Sequence, residues 1–203
     1  MSDQFFAEII ESSLHTWKAQ TWQWNYFPQF GSLVCIEANN RTIFGIVHQI
    51  QTGSLDSTRY PFPYQKTEEE LQREQPQIFE FLQTTFSCLT IGYLEAGTIT
   101  YQLAPEPPKI HAFVGHATTE HYMQFFAQER YLHLIFGLSS HILNVDELLL
   151  ALLKHLSSSN MLTAENLTKF IETLSLLNGN DYRRLKLFLQ RVQPIITPQN
   201  QIR

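Results

Sequence analysis

The chain has 203 residues, 43% of them apolar and 16% charged, with 14 basic and 19 acidic side chains and a net charge of −5. That balance describes a globular protein with enough apolar residues for one large core or two small ones, and no internal repeat or low-complexity segment occurs along the chain. No apolar run approaches the ~20 residues that span a bilayer, and no basic segment precedes an apolar one near Asp3, Glu8 and Glu11, so no membrane partner and no secretory leader are expected.

Taken in order, residues 5–14 and 16–24 read as two strands. In the second, Trp17, Ala19, Thr21 and Gln23 alternate with Lys18, Gln20, Trp22 and Trp24, the period of two that a pleated strand requires. Pro28 and Gly31 mark a turn. Leu33-Val34-Cys35-Ile36 is a short apolar run suited to a buried strand, and the Asn39-Asn40 pair turns it into a returning strand over residues 42–50. Gly45 inside that strand signals a bulge or a close backbone approach.

Residues 53–64, with Pro61 and Pro63, read as a long irregular connection. Thr67 and Glu70 form a capping box that starts a short acidic helix ending before Pro76. Residues 84–93 and 98–103, joined across Glu95-Ala96-Gly97, predict a second hairpin. Three prolines within residues 105–108 then break the ladder.

The period changes after about Ala117. Asn144 caps a helix carrying Leu148, Leu149, Leu152, Leu153 and Leu156 on one face. Thr163 caps a second helix, presenting Leu167, Phe170, Ile171 and Leu174 and stopped at Asn178-Gly179. Asp181 opens a third with Leu185, Phe188, Leu189 and Val192 inside, ended by Pro194. The fold class expected is therefore α+β: a small antiparallel β-barrel over residues 1–117, then an α-helical domain over 118–203. That domain has three main helices, forming a small antiparallel bundle, and a disordered or extended tail after 195.

Chemistry is harder to find. Cys35 and Cys88 each sit in an apolar strand, as buried free thiols of a reducing cytoplasm do. Two cysteines and scattered histidines give no metal motif. His111, His116 and His121 recur every five residues, a spacing that puts no two on one face of a helix or a strand. No Gly-x-Ser-x-Gly elbow occurs, and Glu68, Glu69, Glu70 and Glu74 lie on an exposed helix with no apolar pocket to separate their titrations. Neither a catalytic residue nor a cofactor is expected.

Two surfaces remain. Trp17, Trp22, Trp24, Tyr26 and Phe27 form a dense aromatic set beside a single cation, Lys18, which favours core packing or a protein interface over base stacking. Arg183, Arg184, Lys186 and Arg191 lie on the last helix as a basic patch, either a solvated face or a groove-reading one. Charge is divided to match: residues 1–162 hold 8 basic and 16 acidic side chains, residues 163–203 hold 6 and 3. Phosphates are repelled by the first part and attracted only by the second.

Four segments in order, Gly31-Ser32-Leu33-Val34, Ile43-Phe44-Gly45-Ile46-Val47, Pro76-Gln77-Ile78-Phe79 and Leu89-Thr90-Ile91-Gly92-Tyr93, precede Pro105-Glu106-Pro107-Pro108. Over residues 5–117 this pattern resembles the N-terminal HAS barrel of HerA-type ATPases, which is similar to the barrel on ATP synthase subunits. The resemblance implies a non-catalytic element that joins neighbours and meets partner proteins. The motor that follows such barrels needs a phosphate loop, and no Gly-Lys dipeptide occurs in this chain. The expected role is a protein-interaction or assembly module, through self-association or an unnamed protein. The alternatives are a nucleic-acid-binding adaptor using the last helix and an enzyme with an unrecognised site.

Overall fold

The computed structural model describes residues 5–56, 58, 62–179 and 181–196. Six antiparallel strands close on themselves: β1 (Phe5–Ser12), β2 (Thr16–Thr21), β3 (Leu33–Ala38), β4 (Arg41–Ser54), β5 (Leu82–Glu95) and β7 (Phe113–His116). Their order is β2-β1-β7-β3-β4-β5, and β2 pairs with β5 to complete the ring. Closure removes the exposed edges that an open sheet would leave. A three-residue strand, β6 (Thr98–Thr100), extends the far end of β5.

Local chemistry explains the turns. Ala38 pairs with Arg41 across a two-residue loop in which Asn39 adopts φ +55°. Glu95 pairs with Thr98 across Ala96 and Gly97, both at positive φ. The proline segment ends in the strand that closes the barrel, since β7 pairs antiparallel with both β1 and β3.

Between β4 and β5 lie α1 (Glu68–Glu74) and α2 (Gln77–Glu80). The Thr67–Glu70 capping box is formed in full, and Pro76 becomes the N-cap of α2. Of the irregular connection expected over residues 53–64, positions 57 and 59–61 lie outside the described residues, as do 197–203 of the expected tail.

The helical region is larger than the three expected helices. It comprises α3 (Thr119–Phe125), α4 (Tyr131–Gly137), a 3-10 helix (Ser139–His141), α5 (Val145–Ser158), α6 (Ala164–Leu177) and α7 (Tyr182–Ile196). The caps on α5 and α6 are the expected ones: Asn144 and Thr163 accept from the backbone N–H groups of Glu147 and Asn166. Two expectations need correction. Helices α3 and α4 are seven residues each and bury Phe125, Tyr131, Leu132 and Ile135 among a run of aromatics, so no clean helical stripe marks them. Pro194 sits within the last turn of α7 instead of ending it. One carbonyl of that turn, on Ile195, accepts a 2.9 Å bond from Ser157 Oγ, which holds the turn against α5.

Two apolar clusters share the barrel wall. Trp17, Ala19, Val34, Ile36, Val47, Phe86, Cys88 and Val114 belong to the first, with Phe6, Ala7 and Ile9 from β1. The alternate residues of β3, β4 and β5 (Leu33, Cys35, Phe44, Ile46, Leu89, Ile91) belong to the second, with Phe125, Leu132, Leu152 and Phe188 of the helices. Strands buried on both sides read as continuous apolar runs. Helix α5 comes close to the barrel at Gly31, which holds φ +78° and where a Cβ would lie 2.6 Å from Ala151 Cβ. His155 Nε2 also hydrogen-bonds the Phe30 carbonyl at 3.0 Å. The helices are thus packed on the β3–β4–β5 wall.

Candidate functional site

The aromatic set divides by strand phase. Trp17 is 2% exposed and packs with Phe86 in the first cluster, so it cannot contribute to a docking surface and leaves the set. Its neighbours Ala19 and Thr21, two and four positions on, are also buried, whereas Lys18 and Gln20 are half-buried. The period of two places Trp17 on the inward face.

The other four lie in the connection from β2 to β3. Trp22 is 45% exposed, Tyr26 50% and Phe27 41%, while Trp24 is half-buried. The connection is pinned at three points. Trp22 N–H donates to the Phe6 carbonyl at 3.0 Å, Thr84 Oγ1 donates to the Trp24 carbonyl, and Thr21 Oγ1 donates to the Gln23 carbonyl at 2.8 Å. Three of the rings then rest on a neighbour. Trp22 meets Phe113 edge-on with centroids 5.4 Å apart, and Phe113 tilts against Phe5 at 5.8 Å. Tyr26 sets its edge on Phe6, which stacks on His116 at 4.2 Å, and the Tyr26 hydroxyl is 3.3 Å from His116 Nε2. Trp24 stacks on Phe79 of α2 at 5.6 Å.

Phe113, 43% exposed, belongs to this surface and is missing from the sequence-based set. It stands 91 positions after Trp22, and only the β1–β7 pairing, Glu8 opposite Phe113, brings them together. The alternation in Phe113-Val114 was the available signal. The ring contacts and hydrogen bonds described for Trp22, Trp24 and Tyr26 involve no residue of α4–α7; α5 meets the connection only further on, at Phe30 and Gly31.

The basic patch divides as well. Arg184 forks onto Asp146 of α5, Nη2 to Oδ1 at 2.8 Å and Nε to Oδ2 at 3.4 Å, which raises the guanidinium's affinity for its proton further. Arg191 Nη2 donates to Glu147 of α5 at 2.5 Å. Arg183 and Lys186 are exposed on the same helix. Two of the four cations therefore join α7 to the start of α5.

The remaining titratable groups are dispersed. His111 pairs with Glu8, His116 lies under Tyr26, and His121 completes the α3 capping box by accepting from Thr118 N–H. Burial lowers the affinity of His116 for a proton. Burial, followed by the charge of Glu37, pushes the Cys35 thiol up to about 12, and burial alone pushes Cys88 up. No group of three or more His, Cys, Asp or Glu among the described residues is arranged to hold a metal. No helix of the described residues is long and apolar enough to cross a membrane. Comparison of the chain with protein-family models and with curated proteins finds no match.

Proposed function

We propose that this chain is a non-catalytic protein-interaction or assembly module, built on a stand-alone barrel of the HAS type that HerA-type ATPases carry at their N-terminus, and working in the cytoplasm. One observation carries the reading. The helices cover the β3–β4–β5 wall, while Trp22, Tyr26, Phe27 and Phe113 remain 41–50% exposed. Large exposed rings on a hydrogen-bonded connection, with Phe113 of the adjoining strand, are the surface signature of a protein contact, because aromatic anchors contribute most where a partner removes them from water. The surrounding hydrogen bonds fix the backbone of the connection, and ring contacts support Trp22, Tyr26 and Phe113, so less freedom is lost on docking.

The nucleic-acid reading is weaker. Arg184 and Arg191 already face carboxylates, and two remaining cations give a small counterion-release contribution.

The test is light scattering on the full chain over a concentration series, with Trp22→Ala and Phe113→Ala variants. Concentration-dependent assembly that both variants weaken supports self-association. A photo-reactive side chain at position 22, but not at position 160, that traps one protein in native cells supports a separate partner. A monomer at every concentration, with no trapped protein, defeats the reading.

A further inference from the structure

The β4–β5 hairpin continues past the barrel as a two-stranded ribbon. Strand β3 pairs with β4 only from Arg41 to Ile46, and Val47 bonds Gly31 and Ser32 just before β3. Pairing with β5 runs on past the register slip at His48 to Ser54 opposite Leu82. The β5 edge of the ribbon is covered by the connection from β2. There the Thr84 carbonyl accepts from Thr21 Oγ1 at 3.2 Å, and Thr84 Oγ1 donates to the Trp24 carbonyl. The β4 edge has no such cover. Over residues 49–54 it pairs with no strand other than β5 among the described residues, and Gln49, Gln51 and Thr52 are exposed.

Ladder geometry fixes which backbone groups face that edge. Leu55 N–H donates to the Phe81 carbonyl at 2.7 Å, one step past the Ser54–Leu82 pair, so positions 55 and 81 form a hydrogen-bonded pair. Such pairs alternate with non-bonded ones along an antiparallel ladder. Gly53, Gln51 and Gln49 therefore also turn their N–H and C=O groups to β5, and Ile50, Thr52 and Ser54 turn theirs outward. The other side of β5 agrees: Thr90 N–H donates to the His15 carbonyl, which by the same alternation turns Cys88, Phe86 and Thr84 to β2. Of the outward groups on β4, only the Ser54 carbonyl has a partner among the described residues, Gln83 Nε2 at 3.3 Å. A carbonyl oxygen has a second lone pair to offer.

A row of outward backbone donors and acceptors is matched by another strand, and this edge matches itself. Exposed edges are ordinarily guarded by lysine, proline or a bulge. From residue 42 to residue 55 the chain has no Asp, Glu, Lys, Arg or Pro, and the slip at His48 comes before the open stretch. A two-fold axis at Thr52 sets Thr52 opposite Thr52 of a second copy and Ile50 opposite Ser54. Every outward N–H then meets an outward C=O, about six hydrogen bonds in all. Self-pairing of a neutral segment brings no like charges face to face, and Thr–Thr is a favoured cross-strand pair. Leu55, 55% exposed, falls opposite Gln49 of the second copy and loses water there.

We infer that β4 is the contact strand of a symmetric dimer, in which residues 49–55 of two copies pair antiparallel about Thr52 and join the two ribbons into one sheet. A contact of this extent belongs to the weak, reversible class. Its role rests on the assembly reading, to which it adds a second copy of the chain as partner. Its geometry uses none of the exposed aromatic rings, so the two surfaces stand or fall separately.

Sedimentation from ~1 µM to ~1 mM, on the full chain and on its Trp22→Ala variant, tests this. Trp22→Ala removes association through the rings, so the dimer it retains is the one formed by the edge. In that background Thr52→Lys and Thr52→Glu, each alone, set like charges face to face and should raise the dissociation constant ~10-fold or more. An equimolar mixture of the two should restore the dimer, because position 52 faces itself. A Trp22→Ala chain that is monomeric throughout overturns the inference and leaves the aromatic reading standing. A dimer that neither charge weakens, or one that the mixture does not restore, overturns it too. Association identical in the full chain and in Trp22→Ala would instead count against the rings and not against the edge. Should the Thr52 variants fail to fold, amide exchange of the unmutated chain decides. The Ile50 and Thr52 amides should exchange more slowly at high concentration than at low, with Gln51 and Gly53, bonded to β5, as the internal reference. Exchange of Ile50 and Thr52 that does not change with concentration overturns the inference.

Discussion

A Cβ built on Gly45 would lie 2.4 Å from Trp17 Cζ2 and 3.0 Å from Cys88 Cβ. The strand glycine and the largest buried side chain of the barrel therefore occupy complementary space, and the β4–β5 register shifts between Phe44 and Gly45 at the same place. Gly45→Ala should cost about 1–3 kcal/mol through overpacking, and Trp17→Ala about 3–5 kcal/mol through the cavity it leaves. Combined, the two should cost less than their sum, because the methyl then enters space that the indole vacates. Urea unfolding of the two singles and the double checks this. Strict additivity would show that the two residues do not compete for that space.

Trp22→Ala should behave in the opposite way. Its ring is 45% exposed, so stability should change by no more than about 0.5–1 kcal/mol, the worth of its edge contact with Phe113, while association falls. Thermal unfolding and light scattering on the same sample separate the two effects. A large loss of stability would recast Trp22 as a structural residue.

Both thiols should be silent in the native protein. Cys35 is pushed up to about 12 and Cys88 also sits above its ordinary value, each chiefly by burial, and the thiolate is the reactive form. Titration with a chromogenic disulfide at pH 8 should report no fast-reacting thiol when folded and both in denaturant. Rapid reaction of either in the folded chain would contradict its burial.

Acid should weaken the fold in a defined window. Burial, with His141 adding to it, lowers the proton affinity of His48, and burial lowers that of His116, both from an ordinary value of 6.5. The unfolded chain then binds protons that these imidazoles refuse when folded, so stability falls as pH drops below 6.5 and continues to fall through the lower folded values. Urea midpoints between pH 7.5 and 5 should decline, and less steeply in His48→Gln. An identical slope in that variant would remove His48 from the account.

Arg184→Ala and Arg191→Ala should each cost about 0.2–1 kcal/mol, as partly exposed ion pairs do. Neither should change a weak affinity for a labelled oligonucleotide, because both cations already face α5 carboxylates. Fluorescence anisotropy across a salt series measures this. A steep salt slope that either variant flattens would restore the nucleic-acid reading.

Sequence reasoning determined what depends on neighbours in the chain. The Thr67, Asn144 and Thr163 caps, the Asn39 turn, the α+β class and the change of period near Ala117 are all local, since a cap or a strand phase is set within about four residues. Read from the sequence, Trp17 stands in one set with Trp22, although the alternation along β2 that turns Trp17 inward is itself a local property. The tertiary structure decided the rest. Closure of the barrel rests on β2 meeting β5 and on β7 entering between β1 and β3, pairings between segments up to about a hundred positions apart. Those pairings bring Phe113 beside Trp22, which no spacing in the chain encodes. The short α3 and α4, which bury Phe125 and Tyr131, Leu132 and Ile135, pack in the cluster that covers the β3–β4–β5 wall. The fates of Arg184 and Arg191 were settled in the same way, by helix α5 arriving with two carboxylates.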